Sequence, residues 1–286
     1  MKKIPVYNLQ TISCKPSKIG NIEFLRFEDH LKNIKNVHFP HRHDFYYILY
    51  ISSGSGSHTI DFKKYPVKSG RLFFMSPGQI HEWDLKPDAK GYTLFFNKEL
   101  FLEDALKIEE QWPFFHSLFY NAAFNLKPDN KSEIENWFKW IFKEYLNIGK
   151  YQDDIIKNLL SAFLFKLNSI LDLPDKLNQN SKGNILRSYE LLIDRHFARQ
   201  QHLAFYAGQL HISPNYLNAV CKNTLAKSAK LLLNERILLE AKRLLRHSDL
   251  NVNGISEYLN FTTSSYFIRF FRKMEGCTPL DFKQLK

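Results

Sequence analysis

Two stretches of this 286-residue chain, about 49 residues apart, carry one pattern. Each has a short apolar helix, a tight turn and a second helix opened by a capping residue. In the first, Leu203 to Leu210 reads as the apolar helix and His211-Ile212 as the turn. Ser213 then stands as an N-cap with Pro214 at the first helical position, both favoured there. Leu217, Val220 and Cys221 fall on the inward face of the helix that follows, and Asn215, Asn218, Ala219 and Lys222 fall outward. In the second, Asn251 caps a helix carrying Ile255, Tyr258 and Leu259, and Asn260-Phe261 make the turn. Thr262 or Thr263 caps the next helix, with Phe267, Phe270, Phe271 and Met274 inward. Ser264, Ser265, Arg269, Arg272 and Lys273 lie toward its other side. Between the two patterns an unbroken helical sequence runs from about Ala229 to His247, roughly 28 Å at 1.5 Å per residue. So patterned, the chain from Ile185 onward folds as short helices around one long one.

The outward residues carry a chemistry. A capped helix presenting amides and cations suits the DNA major groove: Asn bonds adenine edges, Arg bonds guanine bidentately, and Lys neutralises phosphate. Tyr216, Thr262, Thr263, Ser264 and Ser265 join Asn215, Asn218, Lys222, Arg269 and Lys273 as contact candidates, with Ser213 at the cap and Arg269 as the base reader. Successive major-groove faces lie about 34 Å apart, so the long helix could hold two such units near one DNA turn apart. Charge agrees. The chain carries a net +11, and from Gly183 to Lys286 there are 15 Lys and Arg against 8 Asp and Glu, while the first 182 residues hold 25 against 21. The greater positive density lies where the pattern lies, as a polyanion partner requires. For any single residue a solvated helix face is the competing reading.

The rest of the chain changes character twice. Residues 20 to 98 hold short apolar and aromatic runs such as Phe45-Tyr46-Tyr47-Ile48-Leu49-Tyr50-Ile51, punctuated by Ser52-Ser53-Gly54-Ser55-Gly56, Lys68-Ser69-Gly70 and Ser76-Pro77-Gly78. Such spacing predicts an all-β sandwich or barrel. Residues 99 to 171 shift to helical period. Ile134, Trp137, Phe138, Ile141, Phe142, Tyr145 and Leu146 form one stripe, with Ser132 and Glu135 as its capping box. Ile155, Ile156, Leu159, Leu160, Phe163, Leu164, Leu167 and Ile170 form a second stripe, wide enough for a dimer interface as well as packing on the barrel. Leu173 to Asn184 is polar and breaker-rich and reads as a linker.

Three cysteines, Cys14, Cys221 and Cys277, match no metal spacing and no disulfide framework, which favours a reducing compartment. The basic Met1-Lys2-Lys3 start is followed by Pro5, Asn8, Gln10 and Thr11, which interrupt a signal sequence, and no run reaches a membrane span. The expectation is a soluble, cytoplasmic protein with no membrane partner.

Residues 185 to 286 resemble the AraC-type DNA-binding domain of bacterial transcription regulators. The resemblance rests on Ile212-Ser213-Pro214-Asn215-Tyr216-Leu217-Asn218, on Glu235-Arg236-Ile237-Leu238-Leu239-Glu240-Ala241-Lys242-Arg243-Leu244-Leu245, and on Ser265-Tyr266-Phe267-Ile268-Arg269-Phe270-Phe271-Arg272-Lys273 with Gly276 and Thr278-Pro279. Spacing matches as well as content. It implies promoter binding, commonly with activation, and puts Asn215, Asn218, Ser264, Ser265 and Arg269 at base-facing positions. The chain departs from the family at Gly254, where a helix former is usual, at Ser256, at Asn260 and Ala226 in place of turn glycines, and at Cys221 in place of Phe. Gly inside a helix costs about 1 kcal/mol relative to Ala, so the first helix of the second unit is expected to be soft.

Phe39-Pro40-His41-Arg42-His43-Asp44-Phe45-Tyr46-Tyr47 with Gly54, Gly70, Pro77-Gly78 and His81 resemble a cupin barrel, which many such regulators carry as effector-binding domain. In metal-binding cupins two His one residue apart, a Glu and a distant His converge on an ion. Alternation puts His41 and His43 on one strand face, but Tyr47 stands where the Glu would be. The expectation is therefore that His41, His43, Tyr47, His81 and Trp83 line an organic-ligand pocket, with no metal, no cofactor and no catalytic residue. The fold read from sequence is multidomain: an all-β cupin-like barrel over 1–98, a helical dimerisation segment over 99–172, a linker over 173–184, and an all-α domain with two helix-turn-helix units over 185–286. The function read from it is a sequence-specific regulator, an activator controlled by a small molecule in the barrel. Its partners are double-stranded promoter DNA, RNA polymerase and a second copy of the chain. The alternatives are a metal-dependent cupin enzyme and a regulator whose degenerate units act through protein partners.

Overall fold

The computed structural model describes residues 4–12, 21–33, 40–101, 112–115, 121–147, 149–171 and 181–284. Cys14, Asp172 and residues 173–180 of the linker lie outside them. The chain divides into two compact units, Pro5–Leu173 and Pro174–Lys286.

The first unit runs β1 (Val6–Tyr7), α1 (Leu9–Ile12), β2 (Ile22–Arg26), α2 (Phe27–Asn33), β3 (His41–His43), β4 (Tyr46–Ser53), β5 (Gly56–Ile60), β6 (Lys63–Val67), β7 (Arg71–Met75), β8 (Ile80–Leu85), β9 (Lys90–Phe96), β10 (Ala123–Asn125), α3 (Pro128–Leu146) and α4 (Gln152–Ile170). Among the described residues, ten strands make two five-stranded sheets, ordered β1-β3-β8-β5-β6 and β10-β7-β4-β9-β2. The run Phe45 to Ile51 is apolar without alternation because β4 has no solvent face. Tyr47, Leu49 and Ile51 point into an inner core with Phe73, Met75 and Phe95. Tyr46, Ile48 and Tyr50 point the other way, into a core shared with α3 and α4. The turn after β4 passes Gly54 at φ +113, where a Cβ would lie 2.4 Å from the Ala89 Cα, so no other residue fits there.

Two local expectations are corrected. The described residues of the segment 99–127 are not helical throughout: they make short 3-10 turns at Lys98–Phe101 and Pro113–Phe115 and then β10, which pairs antiparallel with β7. Ser132 and Glu135 are not a capping box, because α3 begins earlier, with Lys127 at the cap position and Pro128 opening the helix at a φ that suits it. The wide stripe of α4 is spent mainly on the barrel: Ile156, Leu160, Phe163, Leu164 and Leu167 are each 0% exposed. Ile155 stays in solvent.

The second unit is all helical: α5 (Ser181–His196), α6 (Leu203–Gln209), α7 (Pro214–Leu225), α8 (Ala229–His247), α9 (Val252–Tyr258), α10 (Ser264–Glu275) and α11 (Pro279–Gln284). The last four residues of the stretch read as linker, 181–184, belong to α5. Its apolar side, Leu186, Tyr189 and Ile193, is fully buried, and the helix it nucleates extends back through polar residues on the outer side. Helix α8 packs against α7, α10 and α11, so both helix-turn-helix units hang on one rod. The helix α9 forms despite Gly254. That residue's N–H donates to the Asn251 side chain at 2.8 Å, and a Cβ there would press on Leu250 Cδ2 at 3.3 Å.

Phe138 sits at the junction of sheet and helices. It is 0% exposed and stacks on Tyr50 and Tyr92 at 5.2 and 5.6 Å. Phe138→Ala is expected to cost the first unit about 3 to 5 kcal/mol in denaturant unfolding, and a loss under about 1 kcal/mol would show that this junction does not hold the helices. In the second unit, Ala226 ends α7 in the left-handed conformation at φ +56. Ala226→Gly relieves that strain and is expected to raise stability by about 1 kcal/mol, with a thermal melt as the check.

Candidate nucleic-acid interface and barrel interior

Each candidate recognition helix is set by its cap. Ser213 Oγ accepts from the Tyr216 N–H at 3.1 Å, and Thr263 Oγ1 accepts from the Tyr266 N–H at 3.2 Å. Thr263, not Thr262, is the cap. Buried residues on the inner side, Leu217, Val220 and Cys221 in α7 and Phe267 and Phe271 in α10, fix which face looks outward. Phe270 and Met274 are only half-buried, and Tyr258 at the end of α9 is 52% exposed.

The outward faces then fall into place. Ser213, Asn215, Tyr216 and Lys222 are exposed in the first unit, and Thr262, Thr263, Ser265, Arg269 and Lys273 in the second. Ser264 is half-buried. Asn218 is half-buried too, and its Oδ1 accepts from the Ala229 N–H at 3.2 Å. Its carbonyl oxygen tacks α7 to the start of α8, so Asn218 is not the outward-facing amide that the sequence suggested. The first helices of the two units are offset by 49 residues and the second helices by 50, because the second turn is one residue longer. In that register Tyr216 corresponds to Tyr266, Ala219 to Arg269 and Lys222 to Arg272. Tyr266, 52% exposed, and Arg272 lie on the outward face without having been given a role. The 50-residue register was the signal for both.

The unit is braced from behind by charge. Glu240, 4% exposed, accepts from Arg236 and Arg243, each at 3.1 Å, and Arg236 also reaches Asp194 at 2.6 Å. Lys242 holds Glu275 at 2.8 Å, joining α8 to the end of α10. These residues of the family-like block are structural.

The barrel interior holds the other candidates. Strand pairing sets His41 directly opposite His81, and His58 lies opposite Trp83 on β5. Alternation brings His43 to the same side as His41. The result is a compact cluster: His41 Nε2 to His43 Nε2 is 2.8 Å, His81 Nε2 to His41 Nε2 is 3.0 Å, and His81 Nε2 to His43 Nε2 is 3.2 Å. His58 Nε2 lies 2.9 Å from His81 Nδ1. The rings of Tyr47 and Trp83 flank His81 at 6.1 and 5.2 Å. The structure thus brings all five barrel candidates together and adds His58, and His30 against Trp83, which the sequence reading did not select. Burial, reinforced by the neighbouring His41, holds His43 and His81 well below the ordinary imidazole pKa and lowers His58 to about 3. Burial pushes the Tyr47 phenol far up. His43, Tyr47, His58 and His81 are therefore neutral near pH 7.

Two family models match the chain. An AraC-like ligand binding domain matches residues 29–164 and a helix-turn-helix domain matches residues 206–284. The HTH-type transcriptional activator RhaS of Escherichia coli O81 (strain ED1a) is 24% identical over 261 residues, spanning 86% of this chain and 88% of that protein. Among solved structures, the C-terminal domain of AraT, a response regulator from Geobacillus stearothermophilus, is 27% identical over 38% of this chain and 88% of its own, with a TM-score of 0.35. ToxT from Vibrio cholerae is 13% identical over 84% of this chain and 90% of its own, with a TM-score of 0.40. No described helix is long and apolar enough to cross a membrane.

His30 gives this interior a pH signature. It is 1% exposed, its Nδ1 has no hydrogen-bond partner, and burial, aided by His41, lowers its pKa to about 3 from the usual 6.5. The folded value lies below the unfolded one. The contribution is therefore complete above pH 6.5 and is lost as pH falls toward 3. In that window His30→Phe is expected to reduce the acid slope of the first unit's stability by about 1.4 kcal/mol per pH unit, read from denaturation midpoints at stepped pH. An unchanged slope would mean His30 is charged in the folded state.

Proposed function

The chain belongs to the AraC family of transcription regulators, and we propose that it grips promoter DNA through α7 and α10 and is controlled by a small molecule bound in its barrel. The observation that carries this reading is the pair of capped helices seated on one rod, each turning an uncapped row of polar and cationic side chains to solvent. In α7 the row is Asn215, Tyr216 and Lys222; in α10 it is Ser265, Tyr266, Arg269 and Lys273. Amide, hydroxyl and guanidinium groups read base edges, and the lysines and Tyr hydroxyls position the helices on phosphates. The 19 residues of α8 span roughly 28 Å, close to the separation of successive major grooves.

The finer parts of the reading have their own support. RhaS is named an activator, and that supports activation here; RNA polymerase is then a partner. A homodimer through the helical segment 99–172 is supported by large apolar side chains that α3 and α4 leave in solvent, Trp140 at 59% and Phe165 at 53% exposed. The barrel serves as sensor, not enzyme: the same chain carries a DNA-binding unit, and the histidines of the barrel interior are buried. An effector acts by binding one state of the regulator better than another. The compartment is the cytoplasm, where promoter DNA is found.

Selection of bound duplexes from a random library by the full-length protein tests the proposal. The expected product is a site of two blocks about one DNA turn apart. Arg269→Ala should then relax preference at one base of one block by about 1 to 3 kcal/mol, while Lys222→Ala should weaken all sequences alike and flatten the salt dependence. No enriched sequence, with the full-length protein alone or with lysate fractions added to supply an effector, would sink the reading, and an Arg269→Ala protein of unaltered preference would remove Arg269 from the base-reading set.

A further inference from the structure

The capped helices α7 and α10 align at an offset of 50 residues, so their outward faces compare position by position. Exposed Asn215, Tyr216, Ala219, Lys222 and Asn223 of α7 have as counterparts Ser265, Tyr266, Arg269, Arg272 and Lys273 of α10, which are exposed too. At 3.6 residues per turn, Ala219 stands opposite buried Leu217 and Cys221, and Arg269 opposite buried Phe267 and Phe271. These two positions are therefore the centres of the two faces. The caps and the buried sides are alike, and the faces are not. The centre is a methyl group in α7 and a guanidinium in α10. Around it α7 sets two amides and Lys222, while α10 sets a serine hydroxyl, Arg272 and Lys273.

Hydrogen bonds and ion pairs sharpen the difference. Asn218 Oδ1 is spent on the Ala229 N–H at 3.2 Å, which withdraws a third amide from the α7 face. Its counterpart Ile268 has no such duty, because Pro279 stands where Ala229 does and has no N–H to satisfy. The neighbouring lysines of the first unit are spent as well. Lys227 holds Glu235 at 2.7 Å, and Lys230 donates to the Gln201 carbonyl at 2.6 Å. In the second unit the acidic neighbours of α10 have other partners. Glu275 is held by Lys242 at 2.8 Å, and Asp281, within reach of the Arg272 charge, accepts from the Thr278 hydroxyl at 2.6 Å. Lys222 is thus set against Arg269, Arg272 and Lys273, all four exposed.

Base edges discriminate among these groups. An asparagine amide bonds adenine bidentately, a methyl group packs on the thymine methyl, and a guanidinium bonds guanine bidentately. We propose that the two units read different bases: α7 selects adenine and thymine through Asn215, Asn223 and Ala219, and α10 selects guanine through Arg269, with Arg272 and Lys273 supplying the larger share of the phosphate contacts. The proposal rests on the reading of α7 and α10 as DNA-reading helices and adds what each one reads. Two unlike faces on one rod give the chain a direction on DNA. It lies with α10 on the guanine block, and turning it end for end would set Arg269 against A·T pairs.

The test is selection from a random duplex library by full-length protein, unmutated and carrying Arg269→Ala, Ala219→Arg, or Asn215→Ala together with Asn223→Ala. The substituted side chains are all exposed, and a thermal melt checks that each variant folds. Unmutated protein should enrich two unlike blocks, one with a fixed G·C pair and one fixed in A·T pairs only. Arg269→Ala should lower the G·C preference of its block by roughly 5- to 150-fold and leave the A·T block as it was. The paired asparagine variant should relax the A·T block alone, and Ala219→Arg should bring a G·C pair into it. On the selected duplex, Arg272→Ala with Lys273→Ala should flatten the slope of log affinity against log salt by about 1.8, and Lys222→Ala by about 0.9. Two blocks of the same base content would leave the regulator reading standing and overturn this one. So would a single block, a G·C preference that survives Arg269→Ala, one block relaxed by both the Arg269 and the asparagine variants, or a slope flattened as much by loss of Lys222 as by loss of the α10 pair. No enriched sequence at all would overturn both.

Discussion

Strand β4 has no face in water, and the first unit is built around that fact. Its odd residues, Tyr47, Leu49 and Ile51, require an interior; its even residues, Tyr46, Ile48 and Tyr50, require a cover. The first demand is met by the second sheet, which brings β3, β5 and β8 to face it. The second is met by α3 and α4, laid over the outer face of the sheet. One apolar strand thus fixes two layers, and the polar residues of the neighbouring sheet are carried into the interior as a consequence. His41, His58 and His81 are buried because their strands must close over β4, and the desolvation that lowers the pKa values of His58 and His81 is the electrostatic side of the same closure.

The second unit solves a different problem, that of holding two small helix pairs with few apolar residues in a fixed relation. Each pair buries only a handful of side chains, too few to be stable by itself. The shared element is α8, and it is fastened by ions as well as by leucines. Glu240 is enclosed between Arg236 and Arg243, with side-chain exposures of 5%, 11% and 4%. Removing one member of such a set strands the others without water, at a cost of about 3 to 5 kcal/mol. Asn218 belongs to this bracing as well, since its carbonyl oxygen satisfies the Ala229 N–H at the start of α8. The helical rod therefore depends on the same helix that faces solvent with Asn215 and Lys222.

Much of this was legible beforehand. Periodicity and caps gave both helix-turn-helix units nearly residue by residue, because Ser213, Asn251 and Thr263 act within three residues of themselves. Local chemistry is what a sequence displays. The strand-rich character of residues 20 to 98 was legible for the same reason, and so was the nearness of His41 to His43. What could not be read is pairing across the chain. β10 escaped because three residues, Ala123 to Asn125, carry no period of their own and become a strand only by lying along β7. His58 escaped because nothing near it in sequence marks it; the β5–β8 register alone puts its ring against His81. Gly254 was read as a weakness because its intrinsic propensity is poor, whereas its neighbour Leu250 leaves little room for a Cβ.

The cluster in the barrel shows how far such a register can change a chemical conclusion. By residue type, replacement of a carboxylate by Tyr47 argues against an ion, since a charge partner is lost. Geometry adds a separate constraint. Three imidazole Nε2 atoms in mutual contact cannot pair donor to acceptor on every edge, because an odd ring admits no alternation. An apolar barrel enforces the contact and removes the solvent that would otherwise relax it. The missing carboxylate then bears on the charge of the site, not on whether the three nitrogens converge.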